Sequence, residues 1–225
     1  GESRDAMQLA MDAARRLPDS SMVQSLAARL QASAGDWKAA SQSARKALAI
    51  DPRDGIALHV LGIADLANGD AGTARARYAK AYPELLAPGP LRIDRSNYFA
   101  ALGLASILLQ TGEDTRARQL LDGSEGALRQ IPRLGVFGHR IADAQIHALR
   151  GDKAKALAAL REAEQAGWRG PRWRFYRDVE PAFASIRDEP EFKAVFADIE
   201  RDMVLQRAKL AKLPQDAPLD LAAGN

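Results

Sequence analysis

His139, Asp143 and His147 fall at four-residue intervals in a stretch of helical periodicity, the spacing that brings side chains onto one helix face. Two imidazoles and a carboxylate arranged in this way could hold a divalent cation. The same residues equally make a polar helix face with His–Asp hydrogen bonds, and the chain is read as having no metal site and no cofactor. A second candidate is the run from Trp168 to Arg177. There Trp168, Trp173, Phe175 and Tyr176 interleave with Arg169, Arg172, Arg174 and Arg177. Aromatic faces between guanidinium groups suit stacking on single-stranded nucleic acid. The rival is that these rings cover the end of a helical array while arginine stems lie across them. The pI is about 9.3, but a net charge of only +3 argues against nucleic acid as the partner. Trp168, Arg172, Trp173 and Arg174 are kept as a secondary candidate surface.

Other chemistry is removed by absence. The sequence has no cysteine, which excludes thiol catalysis, disulfides and thiolate metal sites. No glycine-rich phosphate loop follows a strand pattern, and no nucleophile stands with a recognisable base. The chain is read as non-catalytic.

The elements that carry these residues announce themselves by repetition. The stretch Gly35-Asp36 through Pro52 returns 34 residues later, with Gly69-Asp70 for Gly35-Asp36, Ala74 for Ala40, Tyr78 for Ala44 and Ala81 for Ala47. The register also runs backwards, from Ala40, Ala44, Ala47 and Pro52 to Ala6, Ala10, Ala13 and Pro18. Gly112-Glu113 with Ala117, and Gly151-Asp152 with Ala156, repeat the compound pattern. A fixed period of this length marks stacked helix-turn-helix units. Small residues let antiparallel helices approach, Leu58, Leu61 and Tyr78 fill the space between them, and each glycine ends a helix in a left-handed turn. The period predicts helix pairs over about 20–34 with 36–49, 55–68 with 70–82, 95–110 with 113–130, and 135–150 with 152–166, after a lone helix over 3–17. Extra residues fall in Pro83–Pro90, where three prolines forbid a continuous helix, and near Ile131-Pro132-Arg133.

On Leu58, Leu61-Gly62, Gly69, Ala74, Tyr78 and Ala81, the chain resembles the tetratricopeptide repeat family. The resemblance covers roughly residues 5–166. Gln24 and Ala27 depart from the large residues the family carries at their positions. The resemblance implies an all-α solenoid wound as a right-handed superhelix, with the first helix of each pair lining a concave groove. Carried onto this sequence, the groove positions include Met22, Ser25, Arg29, Ile56, His59, Ile63, Leu66, Phe99, Leu102, Ser106, Leu109, Ile141 and Gln145. Of these, Arg29, His59, Ile63, Phe99, Leu102, Ser106 and Gln145 are the candidate partner-binding residues. The expected occupant is a protein or peptide, anchored by Phe99 and with an acidic group fixed by Arg29. Two rivals stand beside this: Ile63, Leu66 and Leu109 are core between repeats, or the Pro83–Pro90 insertion itself fills the groove. The family's Lys/Asn carboxylate clamp is absent, its positions holding Ser25, Arg29, His59 and Ile63.

Residues 1–166 are therefore read as the helix-pair array, 167–213 as C-terminal capping helices and 214–225 as a mobile tail. Asp188-Glu189-Pro190-Glu191 reads as a capping box with Asp188 at the N-cap. The apolar spacing from Phe192 through Ile199 to Leu210 predicts a long amphipathic helix that closes the array. Glu180 to Phe192, with Asp202-Met203 and Gln206-Arg207-Ala208, is similar to the ending of repeat domains in modular bacterial signalling proteins. That second resemblance implies an attached winged-helix, adenylate cyclase or kinase domain, and a periplasmic or cytoplasmic location with periplasm favoured. Gly1 is followed at once by a second-helix pattern, as expected of a domain excised from a longer protein. The longest nearly apolar run, Tyr98 to Leu109, falls short of the ~20 residues a bilayer span needs, so no membrane insertion by this chain is expected. The resulting expectation is a non-catalytic interaction and sensory module of a bacterial signalling or transcription-regulatory protein. The alternative is a free-standing adaptor or assembly factor in envelope or pilus biogenesis.

Overall fold

The computed structural model describes residues 2–131, 141–170 and 173–212, with side chains from Met7 onward. His139, Arg172, Pro132-Arg133 and the 214–225 tail lie outside the described residues. The fold is all-helical, with no strand among the described residues. In chain order the helices are α1 (Glu2–Arg16), α2 (Ser21–Ser33), α3 (Trp37–Ile50), α4 (Gly55–Ala67), α5 (Ala71–Ala81), α6 (Tyr98–Gln110), α7 (Asp114–Gln130), α8 (Ile141–Leu149), α9 (Lys153–Gln165), α10 (Trp173–Asp178) and α11 (Pro190–Leu210). Single 3₁₀ turns cover Pro83–Leu85 and Pro181–Phe183.

The same turn is built at every glycine the repeat singles out. Gly35, Gly69, Gly112 and Gly151 have φ of +82°, +76°, +78° and +79°, a region that costs any residue with a Cβ. The next residue then reaches back to an orphan carbonyl at the helix end, as in Asp36 N–H to Gln31 O at 3.0 Å and Asp70 N–H to Asp65 O at 2.9 Å. Its carboxylate caps the following helix at three of the four turns: Asp36 accepts from Ala39 N–H, Asp70 from Thr73 N–H and Asp152 from Lys155 N–H. Glu113 does not cap, and its carboxylate accepts instead from Arg75 at 2.8 Å and 3.0 Å. Gly167, with φ +85°, repeats the turn once more before Trp168.

Each helix through α5 packs on its sequence neighbours, as do α6 on α7 and α8 on α9, and α2, α4 and α6 also touch in a row. Close approach depends on glycine beside the fully buried Tyr78. A Cβ at Gly62 would meet Tyr78 and Ile107 at 3.5 Å, whereas one at Gly103 would lie 2.2 Å from the Tyr78 hydroxyl. Gln24, out of family pattern, is buried and donates to Ala14 O at 3.0 Å and Pro18 O at 3.3 Å, tying α2 to α1.

The insertion after α5 lies against α7. Leu85 is buried in the α4–α7 core, and Arg116 of α7 donates to Leu85 O and Ala87 O. Ile93 packs so closely on Gly123 that a Cβ there would meet it at 2.7 Å. The segment after α9 folds back onto earlier helices: α10 packs on α2, and the Pro181–Phe183 turn packs on α8. Phe183, Ile186, Phe192, Val195, Phe196 and Ile199 form one buried cluster with Ala144, Ala148, Ala156, Leu160 and Ala163 of α8 and α9. The expected capping box is not formed. Pro190 takes the first helical position, which makes Glu189 the N-cap, and the exposed Asp188 pairs with Lys193 at 3.2 Å.

Candidate functional site

Arg29 lies on α2, His59 and Ile63 on α4, Phe99, Leu102 and Ser106 on α6, and Gln145 on α8. Phe99 is half-buried; the other six are buried. Ile63 belongs to the α2–α4 core and Leu102 to the α4–α7 core, while Leu66 and Leu109 pack on the latter. The reading of Ile63, Leu66 and Leu109 as core therefore describes where they sit. Ser106 Oγ finds no hydrogen-bond partner among the described residues.

What covers these residues is the segment that follows α9. Phe175 inserts into the α2–α4 core, and the His59 ring lies between Phe99 and Phe175 at centroid distances of 5.4 Å and 6.0 Å. Beyond it stands Glu180, only 2% exposed. His59 Nε2 lies 2.9 Å from Glu180 Oε2, and Ala182 N–H donates to Glu180 Oε1 at 3.2 Å. Gln145 adds a further side-chain hydrogen bond. Burial alone would push the Glu180 carboxyl up, but the His59 charge and these hydrogen bonds outweigh it and hold the group below the usual carboxylate range. A nearly buried His59–Glu180 contact thus joins α4 to the segment that follows α9.

Beside this pair a pocket of about 290 Å³ stays open. Its walls are aromatic, with Tyr98 and Phe99 at the start of α6 facing Trp168 and Tyr176 of the C-terminal segment. Ile56, Ile141 and Ala142 add apolar surface, and Arg29 and Gln145 are its long polar side chains. No acidic side chain lines it among the described residues. No protein-family model matches the chain, and no curated protein matches it.

The arginine–aromatic segment is turned inward. Trp168 and Trp173 are buried, and Trp173 packs on Phe196 at 6.5 Å. Arg174 and Arg177 lie over the Trp173 ring at 4.5 Å and 4.8 Å, leaving it no face for a base to stack on. Acidic neighbours occupy the guanidinium groups: Arg169 meets Asp202 and Glu164, Arg177 meets Asp178 and Glu200, and Arg174 meets Glu200. Asp143 and His147 lie on α8, while His139, the third member of the spacing, lies outside the described residues. No group of three metal-ligating side chains converges among the described residues, and none of their helices is long and apolar enough to cross a membrane.

Glu180, Phe175, Tyr176 and Tyr98 complete the site, and the sequence reading gave none of them a place in it. The one local signal was Glu180-Pro181, a carboxylate directly ahead of a proline, which suits the cap of a short helix. Glu180 does cap the Pro181–Phe183 turn. Nothing near it in sequence signals His59.

Proposed function

We propose that this chain is a non-catalytic protein-interaction and sensory module. In this reading it is a tetratricopeptide-like solenoid, wound as a right-handed superhelix, within a larger bacterial signalling or transcription-regulatory protein on the periplasmic or cytoplasmic side of the inner membrane. What supports the architecture is the recurrence of one turn chemistry at Gly35, Gly69, Gly112 and Gly151, with α2, α4 and α6 in a row. What supports the role is the pocket on that row, where Arg29 and Phe99 share one concavity with Gln145. An apolar anchor packed on Phe99 supplies affinity there, and the Arg29 charge orients an acidic group.

The observation carrying the proposal is that the inner face, although crossed by the chain's own C-terminal segment, keeps an aromatic, cationic pocket beside it. The test is affinity capture with the wild type, Phe99→Ala and Arg29→Glu as parallel baits, each shown by circular dichroism to be folded. The expected outcome is a protein retained by the wild type and lost from both variants. Equal retention by both folded variants places binding elsewhere and overturns the role.

A further inference from the structure

We infer that the groove between α3 and α5 is a second docking surface, for a segment of a partner protein that carries carboxylates on either side of one aliphatic side chain. The groove shares no residue with the pocket around Phe99, so it adds a separate contact to the function proposed above. Three observations carry it.

The first is shape. α3 and α5 both pack on α4, and a concavity of about 290 Å³ stays open between them. Leu48 of α3, Leu58 of α4 and Ala81 of α5 line it, with Ala49 and Pro52 beside them. No aromatic ring takes part among the described residues, so the seat suits a branched aliphatic side chain such as leucine.

The second is charge. Arg45, Arg77 and Lys80 line the same concavity, and no acidic side chain does among the described residues. Arg77 donates from Nε to Asp65 at 2.8 Å. Arg45 and Lys80 are exposed and meet no carboxylate among the described residues. Lys80 stands in the last turn of α5, where the helix dipole alone favours a cation. Arg45 stands more than a turn before the end of α3 and has no such reason to be there. The acids near in sequence are engaged elsewhere: Asp51 accepts from Arg53 N–H, Asp54 caps α4, and Glu84 meets the Arg53 guanidinium. Cations around an aliphatic seat complement acidic residues that flank an apolar one.

The third is the corresponding groove one unit further on, which is filled. In the register of Gly69 and Gly112, Arg77 and Lys80 correspond to Leu120 and Gly123 of α7. The chain's own insertion covers that place. Its Pro83–Leu85 turn packs on α5, Leu85 is buried in one core with Leu120, and Ile93 packs on Gly123. Arg116 of α7 donates to Leu85 O at 2.9 Å. Where this surface is occupied, it therefore holds an irregular segment anchored by aliphatic side chains. Between α3 and α5, cations replace Leu120 and Gly123, which changes the complementary occupant from apolar to acidic.

The test is fluorescence anisotropy of the full chain with the peptide fluorescein-Glu-Asp-Leu-Asp-Glu amide. One control peptide carries Gln and Asn for the acids, and another carries Ala for the leucine. The acidic peptide is expected to bind with Kd on the order of 100 μM, and each control about tenfold more weakly. Raising salt from about 0.05 M to about 0.5 M should weaken the acidic peptide about tenfold. Arg45→Glu combined with Lys80→Glu, both at exposed positions, should abolish binding while the circular dichroism spectrum is unchanged. Phe99→Ala should bind the peptide as the wild type does. Equal binding of the Gln/Asn control, no binding at millimolar peptide, or undiminished binding by the charge-reversed variant overturns the inference. Binding to phosphatidylserine vesicles in place of the peptide overturns it in favour of a lipid surface. Loss of the peptide from folded Phe99→Ala overturns it by placing the peptide in the other pocket. If the peptide fails to bind while Phe99→Ala still abolishes partner capture, this surface is removed and the function proposed above stands.

Discussion

At Glu180 a single carboxylate links the fold's late residues to its early ones. Its contact with His59 is desolvated on both sides, 7% and 2% exposed, so removing either partner strands the other. Glu180→Gln should therefore cost about 1–3 kcal/mol, measured by urea denaturation, the penalty for a buried polar group whose partner is lost. The folded pKa lies below the ordinary value of 4.5, so the carboxylate's contribution is fully present above that value. It is lost as pH falls through the folded pKa. The wild type should lose stability on acidification through this range, and Glu180→Gln should show a shallower slope. Partly exposed carboxylates such as Glu125 and Asp198, also held low by arginines, share the acid limb, so the difference between the two slopes is the quantity to read. Parallel slopes would count against the pair as a stabilising contact.

Between residue and fold stands the helix junction around Tyr78. The α5 ring lies between Gly62 of α4 and Gly103 of α6, and burial pushes its hydroxyl far above the usual range. In an isolated helix, Gly103→Ala would gain about 0.8–1.0 kcal/mol of propensity. Here the new methyl would fall 2.2 Å from the Tyr78 hydroxyl and 3.0 Å from Cζ, with a rigid ring unable to fold away. Overpacking of this kind costs about 1–3 kcal/mol, so the urea midpoint should fall. Adding Tyr78→Phe removes the closest contact and should recover part of the loss. An unchanged midpoint in Gly103→Ala would show that α4, α5 and α6 are not packed this tightly.

For the whole molecule, the C-terminal segment is the closure of the fold. Phe175 belongs to the α2–α4 core, while Phe183 through Ile199 complete the α8–α9 core, so the segment spans both ends. Deleting residues 171–225 should expose both surfaces and give a protein that binds hydrophobic dyes and aggregates. A soluble truncation that unfolds cooperatively would mean that the remaining helices are self-sufficient. The polar contacts of the segment point the same way: Arg187 donates to Arg177 O and Glu180 O, and Arg161 meets Asp198 of α11.

What the sequence alone determined is what local rules decide. Helix positions followed from apolar spacing, and the turns at Gly35, Gly69, Gly112 and Gly151 from an αL glycine followed by an acidic residue. Burial of Phe192, Val195, Phe196 and Ile199 followed from their period on α11. Each of these is settled within one or two helical turns of chain. The local rules also erred locally, at Asp188, displaced from the cap by Pro190. What only tertiary structure decided is what covers α2, α4 and α8. A lone glutamate reads as a solvated charge until the fold brings it to a histidine 121 residues away. Phe175 and Tyr176, adjacent in sequence, separate into a core plug and a pocket wall. Long-range burial decides both, because the free energy of a charge or a ring depends on what surrounds it, and its surroundings are set by distant parts of the chain.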